Sequence, residues 1–355
     1  MFNNMTMIDI IDWDLANDND NSIVKVAANE LKTNTTVTEV RILYTYIGPD
    51  GASALADALK INKTVTEIEI WGNYIGDEGV SALADALKVN KTLTHISIRS
   101  NRIKYDGAKA LADALKVNKT LTHISIIDNY INKEGASALA DALKVNTTLM
   151  ELYLMGNFIG DEGASALADA LKVNKTLTNI DVSKNAIDND GAKALADALK
   201  VNATLTNIDL EDNGIDDDGV AAIADALKVN CTLTKINLED NDIGDYGAAV
   251  IADALKVNRT LMQINLKRND IGEDGTAVIA NVEKYRKDKF KEILLCLKHY
   301  NYSLYDAMSS YYKKNICDET LIELDDYIKD DYYDSDYEDA YKYGGLKRRS
   351  VTIKI

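Results

Sequence analysis

The sequence is dominated by a repeat with a period of 28 residues. The string ALADALKVNKT occurs at residues 82–92, 110–120 and 166–176, and its core ADALKVN occurs seven times, with ADALKIN at 56–62 as an eighth copy. A fixed period of roughly 20 to 50 residues is typical of repeat architectures in which each unit packs on its neighbours. Such a chain grows in one dimension, so its 355 residues need not divide into the compact domains that length alone suggests.

Each unit reads as a short strand followed by a helix. The nine units begin at Val37, Val65, Leu93, Leu121, Leu149, Leu177, Leu205, Leu233 and Leu261. In the third unit, Ile96 and Ile98 alternate with polar residues, which is typical of a strand with one buried face. Strands separated by helix-length segments predict right-handed crossovers and a parallel sheet, so we expect an α/β fold.

The helical part of each unit carries one apolar stripe. In the first unit Ala52, Leu55 and Leu59 recur at spacings of three and four residues, and small alanines beside them allow neighbouring helices to approach closely. A glycine recurs nine times between Gly51 and Gly275, where the chain enters the helix against its neighbour. Asn62 is predicted to end its helix as a left-handed C′ residue.

An asparagine follows directly after the strand in most units. It occurs at positions 73, 101, 129, 157, 185, 213, 241 and 269, and the first unit has Thr45 instead. A buried asparagine can hydrogen-bond backbone groups that a curving loop would otherwise leave unpaired. We therefore predict a ladder of buried asparagines that joins neighbouring units.

Together, the pattern LxxLxLxxNxLxxxGxxxLxxxL and the 28-residue period resemble the ribonuclease-inhibitor type of leucine-rich repeat. The resemblance covers residues 37–288. It implies a leucine-rich-repeat solenoid, a right-handed α/β horseshoe with a parallel β-sheet on the concave face and helices on the convex face.

The ends of the chain depart from the repeat. Residues 1–36 read as an N-terminal cap with a degenerate half-repeat, because KVAANELKTNTT at 25–36 aligns with the helical part of a unit. Residues 37–288 hold the nine repeats, and residues 289–324 are predicted to form a helical C-terminal cap, mainly from the helical pattern at 290–314. The acidic, Tyr-rich tail at 325–355 is predicted to be disordered.

Charge and composition restrict the kind of partner. The formal net charge of −17 opposes nonspecific binding to nucleic acid or to anionic membranes, and it favours a protein partner with a basic surface. Three cysteines do not make a disulfide framework, and the start of the chain lacks a basic signal-peptide region. No apolar run approaches the roughly 20 residues needed to span a bilayer. We expect a cytoplasmic monomer.

Several motifs that suggest chemistry have simpler explanations. Asn-x-Thr recurs in eight units, but it reads as one turn copied eight times rather than as glycosylation sites. His95 and His123 should stack on adjacent strands about 4.8 Å apart. With Glu67 and Glu151 beside them and no cysteine near, they read as surface histidines rather than metal ligands. No nucleophile–base pair, phosphate loop or metal motif is evident, so we predict no enzyme activity, no catalytic residue, no cofactor and no metal.

What varies between the units is the face of the sheet that points away from the helices. Aromatic and methionine side chains that face water are typical anchors of a binding surface, and copies that agree on the scaffold but differ on one face indicate specialisation. The later units turn acidic on this face. The predicted partner-binding residues are Arg41, Leu43, Tyr44, Trp71, Arg99, Ile127, Tyr153, Met155, Asp209, Glu211, Asp212, Glu239 and Asp240.

The favoured hypothesis is a noncatalytic scaffold that binds a protein partner in the concave face, and four alternatives stay open. One is a structural or immune-type sensor fragment, although no nucleotide-binding domain accompanies the repeats. The varied face can reflect drift on a tolerant surface. The chain is similar to Ran GTPase-activating proteins in having leucine-rich repeats and an acidic tail, although its repeats are more uniform and their catalytic residues cannot be placed on it. Inhibition of a basic enzyme such as a ribonuclease suits an acidic horseshoe, but that inhibitor is Cys-rich and this chain has three cysteines.

Overall fold

The computed structural model describes residues 6–11, 22–300, 321–326 and 349–354. The strands are β1 (Met7–Ile11), β2 (Glu39–Leu43), β3 (Glu67–Trp71), β4 (His95–Ser97), β5 (His123–Ser125), β6 (Glu151–Tyr153), β7 (Asn179–Asp181), β8 (Asn207–Asp209), β9 (Lys235–Asn237), β10 (Gln263–Asn265), β11 (Leu321–Asp326) and β12 (Arg349–Lys354). The helices are α1 (Ser22–Leu31), α2 (Gly48–Leu59), α3 (Gly76–Val89), α4 (Tyr105–Val117), α5 (Lys133–Leu143), α6 (Gly160–Val173), α7 (Asn189–Leu199), α8 (Asp217–Val229), α9 (Asp245–Val257) and α10 (Glu273–Tyr300).

The strands form one sheet in chain order. Strands β1 to β11 pair in parallel, and β12 pairs antiparallel to β11. Along the repeats, each strand residue pairs with the residue 28 positions further on, so Ile68 lies beside Ile96 and Ile96 beside Ile124. Each repeat helix packs on the next one in sequence. The predicted α/β leucine-rich-repeat solenoid is therefore confirmed.

A single apolar core lies between the sheet and the helices. In the third unit Ile96 from β4, Ile98 directly after it, and Leu111 and Leu115 from α4 are each no more than 1% exposed. The same positions are buried in the other units, because the 28-residue register superposes equivalent side chains. The apolar stripe predicted from the spacing of alanine and leucine is therefore the buried face of the helices.

The asparagine that follows each strand joins neighbouring units, as predicted. In the third unit the Asn101 side chain donates to the carbonyl oxygens of Ile70 at 2.6 Å and Arg99 at 2.8 Å. Its carbonyl oxygen accepts the backbone N–H of Asn73 at 3.0 Å. Asn101 is fully buried, so these bonds satisfy groups that water does not reach.

The prediction that Asn62 is a left-handed C′ residue is wrong. At the equivalent position Asn90 is extended, with φ −65° and ψ 138°. Its side chain bridges the turn instead: Oδ1 accepts the N–H groups of Thr92 at 2.9 Å and Leu93 at 2.7 Å, and Nδ2 donates to the Leu59 carbonyl at 2.8 Å. A side chain that satisfies three backbone groups can end the helix without positive φ.

The left-handed backbone lies elsewhere in the unit: directly before the buried Asn, or before Thr45 in the first unit, and in some units also directly after it, as at Tyr74. Tyr44 (φ 57°), Ser100 (φ 55°), Asp212 (φ 49°) and Asp240 (φ 56°) adopt it. At this point the chain leaves the strand and turns towards the helix. Two of the acidic residues predicted for the binding face therefore sit in a bend after the strand rather than on the strand itself.

The two ends of the chain are described only in part. At the N-terminus, β1 continues the sheet beside β2, and α1 covers most of the aligned half-repeat at 25–36. At the C-terminus, α10 continues to Tyr300. Of the helical cap predicted at 289–324, residues 301–320 lie outside the described residues, and residues 321–324 belong to strand β11. The tail predicted to be disordered includes the end of β11 and all of β12. In β12, the alternating Val351 and Ile353 suit a strand. Residues 327–348 also lie outside the described residues.

Within the residues that the structure describes, no helix combines the length and the apolar character that crossing a bilayer requires.

Candidate functional site

The concave face, defined as the sheet face opposite the helices, is built from three rows of side chains. The first row runs from Glu39 to Gln263, the second from Arg41 to Asn265 and the third from Leu43 to Lys267, with 28 residues between neighbours. The parallel register places neighbours of one row side by side on adjacent strands. The residue that follows the third row, such as Tyr44 or Asp212, lies in the left-handed bend.

At the N-terminal end of the face, Arg41 lies in the second row and is committed to ion pairs. Its Nε lies 2.9 Å from a carboxylate oxygen of Glu69, and its Nη1 lies 3.7 Å from Asp9. The hydrogen bond to Glu69 raises the pKa of Arg41 above its ordinary value. Tyr44 is 36% exposed, at the rim of this part of the face.

The prediction that Leu43 faces water is wrong. Leu43 is only 6% exposed, and it pairs in register with Trp71, which has a large side chain. An apolar residue in the third row is covered when its neighbours in the row are also large. Leu43 therefore supports Trp71 rather than offering its own surface to a partner.

Trp71 and Arg99 form the next part of the third row. The Trp71 indole N–H donates to the Ser97 hydroxyl at 2.8 Å, and the Arg99 guanidinium lies 5.9 Å from the ring centroid. Arg99 also pairs with Asp128 at 2.9 Å. The indole is half-buried, and one polar contact and one cation–π contact fix its orientation.

Two histidines lie at the centre of the first row, with a glutamate beside them. The rings of His95 and His123 stack with centroids 3.9 Å apart, as their placement on adjacent strands predicts. His123 Nε2 lies 3.2 Å from Glu151, and the Tyr153 hydroxyl donates to the same carboxylate. Burial and the neighbouring His123 lower the pKa of His95. No group of His, Cys, Asp and Glu among the described residues is arranged to hold a metal ion.

Three further predicted residues lie in the middle of the face. Tyr153 is half-buried, and burial followed by its contacts with Glu151 raises its pKa to about 12. Ile127 and Met155 are half-buried neighbours in the third row. Together with Trp71 these side chains form an apolar area that spans the second to the fifth unit.

The acidic end of the face is hydrogen-bonded rather than bare. Oδ1 of Asp209 accepts the backbone N–H of Glu211 at 3.0 Å. The Asn237 side chain donates to Asp209 and to Glu211, each at 3.1 Å, and Asn265 donates to Glu239 at 2.7 Å. Burial, followed by the charges of Asp209 and Glu239, raises the pKa of Glu211. The amides offset part of the repulsion between the carboxylates.

The two aspartates of the bend have their own cations. Asp212 lies 4.0 Å from the ammonium of Lys184, and Asp240 lies 3.5 Å from the guanidinium of Arg268. Arg268 also lies 3.6 Å from Glu239. These groups are largely exposed, so their ion pairs are weak and can exchange for pairs with another molecule.

One structural role in the second row was missed from the sequence. Asp181, Asp209, Asn237 and Asn265 each accept the backbone N–H two residues further on, at distances from 3.0 to 3.2 Å. The signal was present in the sequence as an Asp or Asn at the same position of four successive units. Such residues favour turns that their own side chains stabilise.

The comparisons with known proteins agree with the repeat pattern. A family model described as "Leucine Rich repeat" matches residues 62–84, 89–112, 117–140, 145–168, 173–196, 201–224, 229–252 and 257–280, which together make up more than half of the chain. No curated protein matches the sequence.

Among solved structures, the chain is similar to "Leiomodin-1 Actin-Binding Site 2 (ABS2)", with 25% identity, a TM-score of 0.37, and coverage of 45% of this chain and 94% of that one. It is also similar to the tropomodulin C-terminal domain of Caenorhabditis elegans, with 16% identity, a TM-score of 0.34, and coverage of 50% and 91%.

Proposed function

The chain belongs to the leucine-rich repeat family, and from this premise we propose that it is a noncatalytic scaffold that binds a protein partner on its concave face. The uniform 28-residue units, each with a full helix, support a repeat of the ribonuclease-inhibitor type. We further propose that the protein acts as a cytoplasmic monomer.

The observation that carries the proposal is the apolar area on the concave face. Trp71, Ile127, Tyr153 and Met155 are half-exposed. They lie on the second, fourth and fifth units, where the buried scaffold requires no large side chain, and Arg99 occupies the third unit between them. At these positions the later units carry small or polar residues without loss of the sheet register. Aromatic and methionine side chains that are held in place but face water suit the centre of an interface.

The acidic end selects the charge of the partner. Burial, followed by the charges of Asp209 and Glu239, raises the pKa of Glu211. Asp209, Glu211 and Glu239 lie within one cluster, and their three carboxylates give it a negative local potential. Such a potential mainly increases the association rate with a cationic surface and makes affinity depend on salt. We therefore propose a partner whose basic surface contacts the seventh and eighth units while its apolar part contacts Trp71 and Tyr153.

The test is affinity capture from the native cell followed by binding measurements with the recovered protein. The variant Trp71→Ala/Tyr153→Ala is expected to lose the partner. The matched control is Tyr246→Ala, since Tyr246 is 61% exposed on α9 and lies outside the concave face. Equal recovery by wild type and the double variant would remove the apolar anchors from the proposal.

A second arm tests the acidic end. Glu211→Gln/Glu239→Gln is expected to reduce the salt dependence of the affinity for the same partner, because each substitution removes one attraction between charges that salt screens. An unchanged salt slope would show that the acidic end is solvated surface. Acceleration of GTP hydrolysis by a small GTPase, or inhibition of a ribonuclease, would replace the scaffold role with one of those two activities.

A further inference from the structure

A row of aromatic side chains lies outside the concave face, along the edge where each strand leads into its helix. The row is formed in the first five units by the residue directly after the buried Asn, or after Thr45 in the first unit. Its members, which we call the aromatic ladder, are Tyr46, Tyr74, Arg102, Tyr130 and Phe158. The ladder faces water: Tyr74 is 39% exposed, Tyr130 49% and Phe158 63%. Adjacent exposed aromatic side chains are typical of an interaction surface.

The ladder is ordered by contacts between neighbouring units. The rings of Tyr46 and Tyr74 have centroids 5.0 Å apart, and those of Tyr130 and Phe158 are nearly parallel with centroids 6.1 Å apart. The backbone N–H groups of Tyr130 and Phe158 each donate to a carbonyl of the preceding unit at 2.8 Å. The rings therefore stand on fixed backbone, which reduces the entropy lost when a partner binds.

Within this ladder the protein already holds one guanidinium group. Arg102 lies over the ring of Tyr74, with its central carbon 3.8 Å from the ring centroid. The residue that follows Phe158 in the same row is Ala186. Ala186 shares the left-handed backbone of Arg102, with φ of 53° against 61°. The residue that follows Tyr74 in the row is therefore an arginine stacked on its ring, whereas the residue that follows Phe158 is an alanine with only a methyl group.

Beyond Ala186 the same edge becomes acidic. The eighth and ninth units carry Asp242 and Asp270 in this row, and both are exposed. Burial, followed by the charges of Asp270 and Asp216, raises the pKa of the Asp242 carboxyl. The edge therefore presents aromatic faces in one half and negative charge in the other, and an arginine side chain is complementary to both.

We propose that this edge binds an extended, arginine-bearing segment of a partner protein, with one arginine stacked on Phe158 beside Ala186 and others paired with Asp242 and Asp270. The proposal uses none of the concave-face residues, so it stands or falls separately from the proposed function. The rings of neighbouring ladder residues have centroids 5.0 and 6.1 Å apart, whereas side chains on one side of an extended segment recur about every 6.8 Å. An extended segment that runs across the units can therefore reach several ladder positions, although not every one in register.

The test measures binding of labelled peptides to the full chain by fluorescence anisotropy. One peptide of about twelve residues alternates Arg with Ser, and a second alternates Lys with Ser. We expect the arginine peptide to bind about fivefold more tightly than the lysine peptide, because only the planar guanidinium stacks on a ring as well as carrying charge. Tyr130→Ala/Phe158→Ala should raise the Kd of the arginine peptide about fivefold or more.

A larger side chain at position 186 tests the proposed arginine-binding position beside Phe158. Ala186→Arg is expected to raise the Kd of the arginine peptide, since the introduced guanidinium occupies the position that the peptide would use. Asp242→Asn/Asp270→Asn should weaken binding mainly at low salt. Tyr246→Ala and Trp71→Ala/Tyr153→Ala are the controls, and both should leave the Kd unchanged.

Several results would overturn the proposal. The first is the absence of saturable binding of the arginine peptide to the wild-type chain. The second is equal Kd values for the arginine and lysine peptides, and the third is an unchanged Kd of the arginine peptide in Tyr130→Ala/Phe158→Ala. Single-stranded poly(U) RNA is the remaining probe. Ladder-dependent binding of this RNA in place of the arginine peptide would assign the edge to nucleic acid. Urea melts of every variant check that these exposed substitutions leave the fold intact.

Discussion

The first five units and the last four share one scaffold but differ in how their concave side chains are held. The buried asparagines make the same bond in both regions: Asn101 donates to Ile70 and Asn241 donates to Leu210, one unit back in each case. On the face itself, the early units make contacts that cross from strand to strand. Arg41 pairs with Glu69, and equivalent contacts join the Trp71 region and the two histidines.

In the later units contacts also cross between strands, as from Asn237 to Asp209, but the second row in addition accepts N–H groups of its own chain. Asp181 accepts the N–H of Ser183 and Asp209 accepts that of Glu211, both at 3.0 Å, and the asparagines of the next two units do the same. An acidic or amide side chain at this position thus stabilises the end of its own strand. Part of the acidity of this region therefore has a local structural cause, which the aromatic side chains of the early units lack.

This difference separates two kinds of evidence for a binding face. A large apolar side chain that the backbone does not require indicates an interface more strongly than a carboxylate with a structural role. Trp71 and Tyr153 consequently carry more of the functional argument than Asp209. Glu211 and Glu239 hold no backbone N–H in the bonds described above, so their charge is the more informative part of the acidic end.

The largest expected effect tests whether the scaffold is uniform across the two regions. Asn157 donates to the Ile126 carbonyl at 3.0 Å, and Asn269 donates to the Leu238 carbonyl at 2.8 Å, so alanine removes the same bonds at either site. We expect Asn157→Ala to lower the free energy of unfolding by about 1–3 kcal/mol. Asn269→Ala should lower the free energy of unfolding by less, because a unit near the end of the array can unfold locally without separating folded units on both sides of it.

Urea melts of the two variants check this order, with Ser125→Ala as a surface control that should stay within about 0.5 kcal/mol of wild type. A larger loss in Asn269→Ala than in Asn157→Ala would contradict a ladder whose cooperativity depends on position in the array. Equal losses would show that the whole array unfolds as one unit.

The scaffold was predictable from the sequence because every structural requirement is repeated. The period, the apolar stripe that includes Leu55 and Leu59, and the asparagine after each strand were each visible in many copies. Repetition fixes the register, and the register fixes which residues become neighbours. The sheet order and the stacking of His95 on His123 follow from that step alone.

What could not be predicted depends on single contacts that the repeat does not specify. Burial of Leu43 depends on the size of its neighbours, and the bridging of Asp209 and Glu211 depends on the rotamer of Asn237. The mistaken conformation of Asn62 has a different cause. Left-handed and side-chain-bonded asparagines use the same residue type, so composition cannot distinguish them.

A smaller effect tests whether the second row of the later units is structural or merely charged. Asp209→Ala removes the acceptor for the Glu211 N–H and for the Asn237 amide, and it should destabilise the chain by about 1 kcal/mol. Asp209→Asn keeps the oxygen that accepts the Glu211 N–H, loses the oxygen that accepts from Asn237, and removes a charge near Glu211. It should therefore destabilise the chain by less than Asp209→Ala. Asn237 already fills the equivalent position in the next unit. Equal destabilisation by both substitutions, measured in urea melts, would show that charge rather than the hydrogen bond matters.

The smallest expected effect is an opposite response of the two regions to acid. The pKa of His95 is lowered from its ordinary value of 6.5 by burial and by His123, although Glu67 and Glu151 act in the other direction. As the pH falls through 6.5, the unfolded chain therefore takes up a proton before the folded one, and the contribution of His95 to stability is lost.

The carboxyl of Glu211 behaves in the opposite sense. Burial and its acidic neighbours raise its pKa above the ordinary value of 4.5, so its contribution is present below that value and is lost as the pH rises through the raised pKa. Between about pH 7.5 and 4.5, stability should fall less in His95→Gln than in wild type, and it should fall more in Glu211→Gln. Unfolding free energies from urea melts at several pH values measure both slopes. If both variants change the slope of stability against pH in the same direction, the histidine-bearing region and the acidic region do not respond to acid in opposite ways.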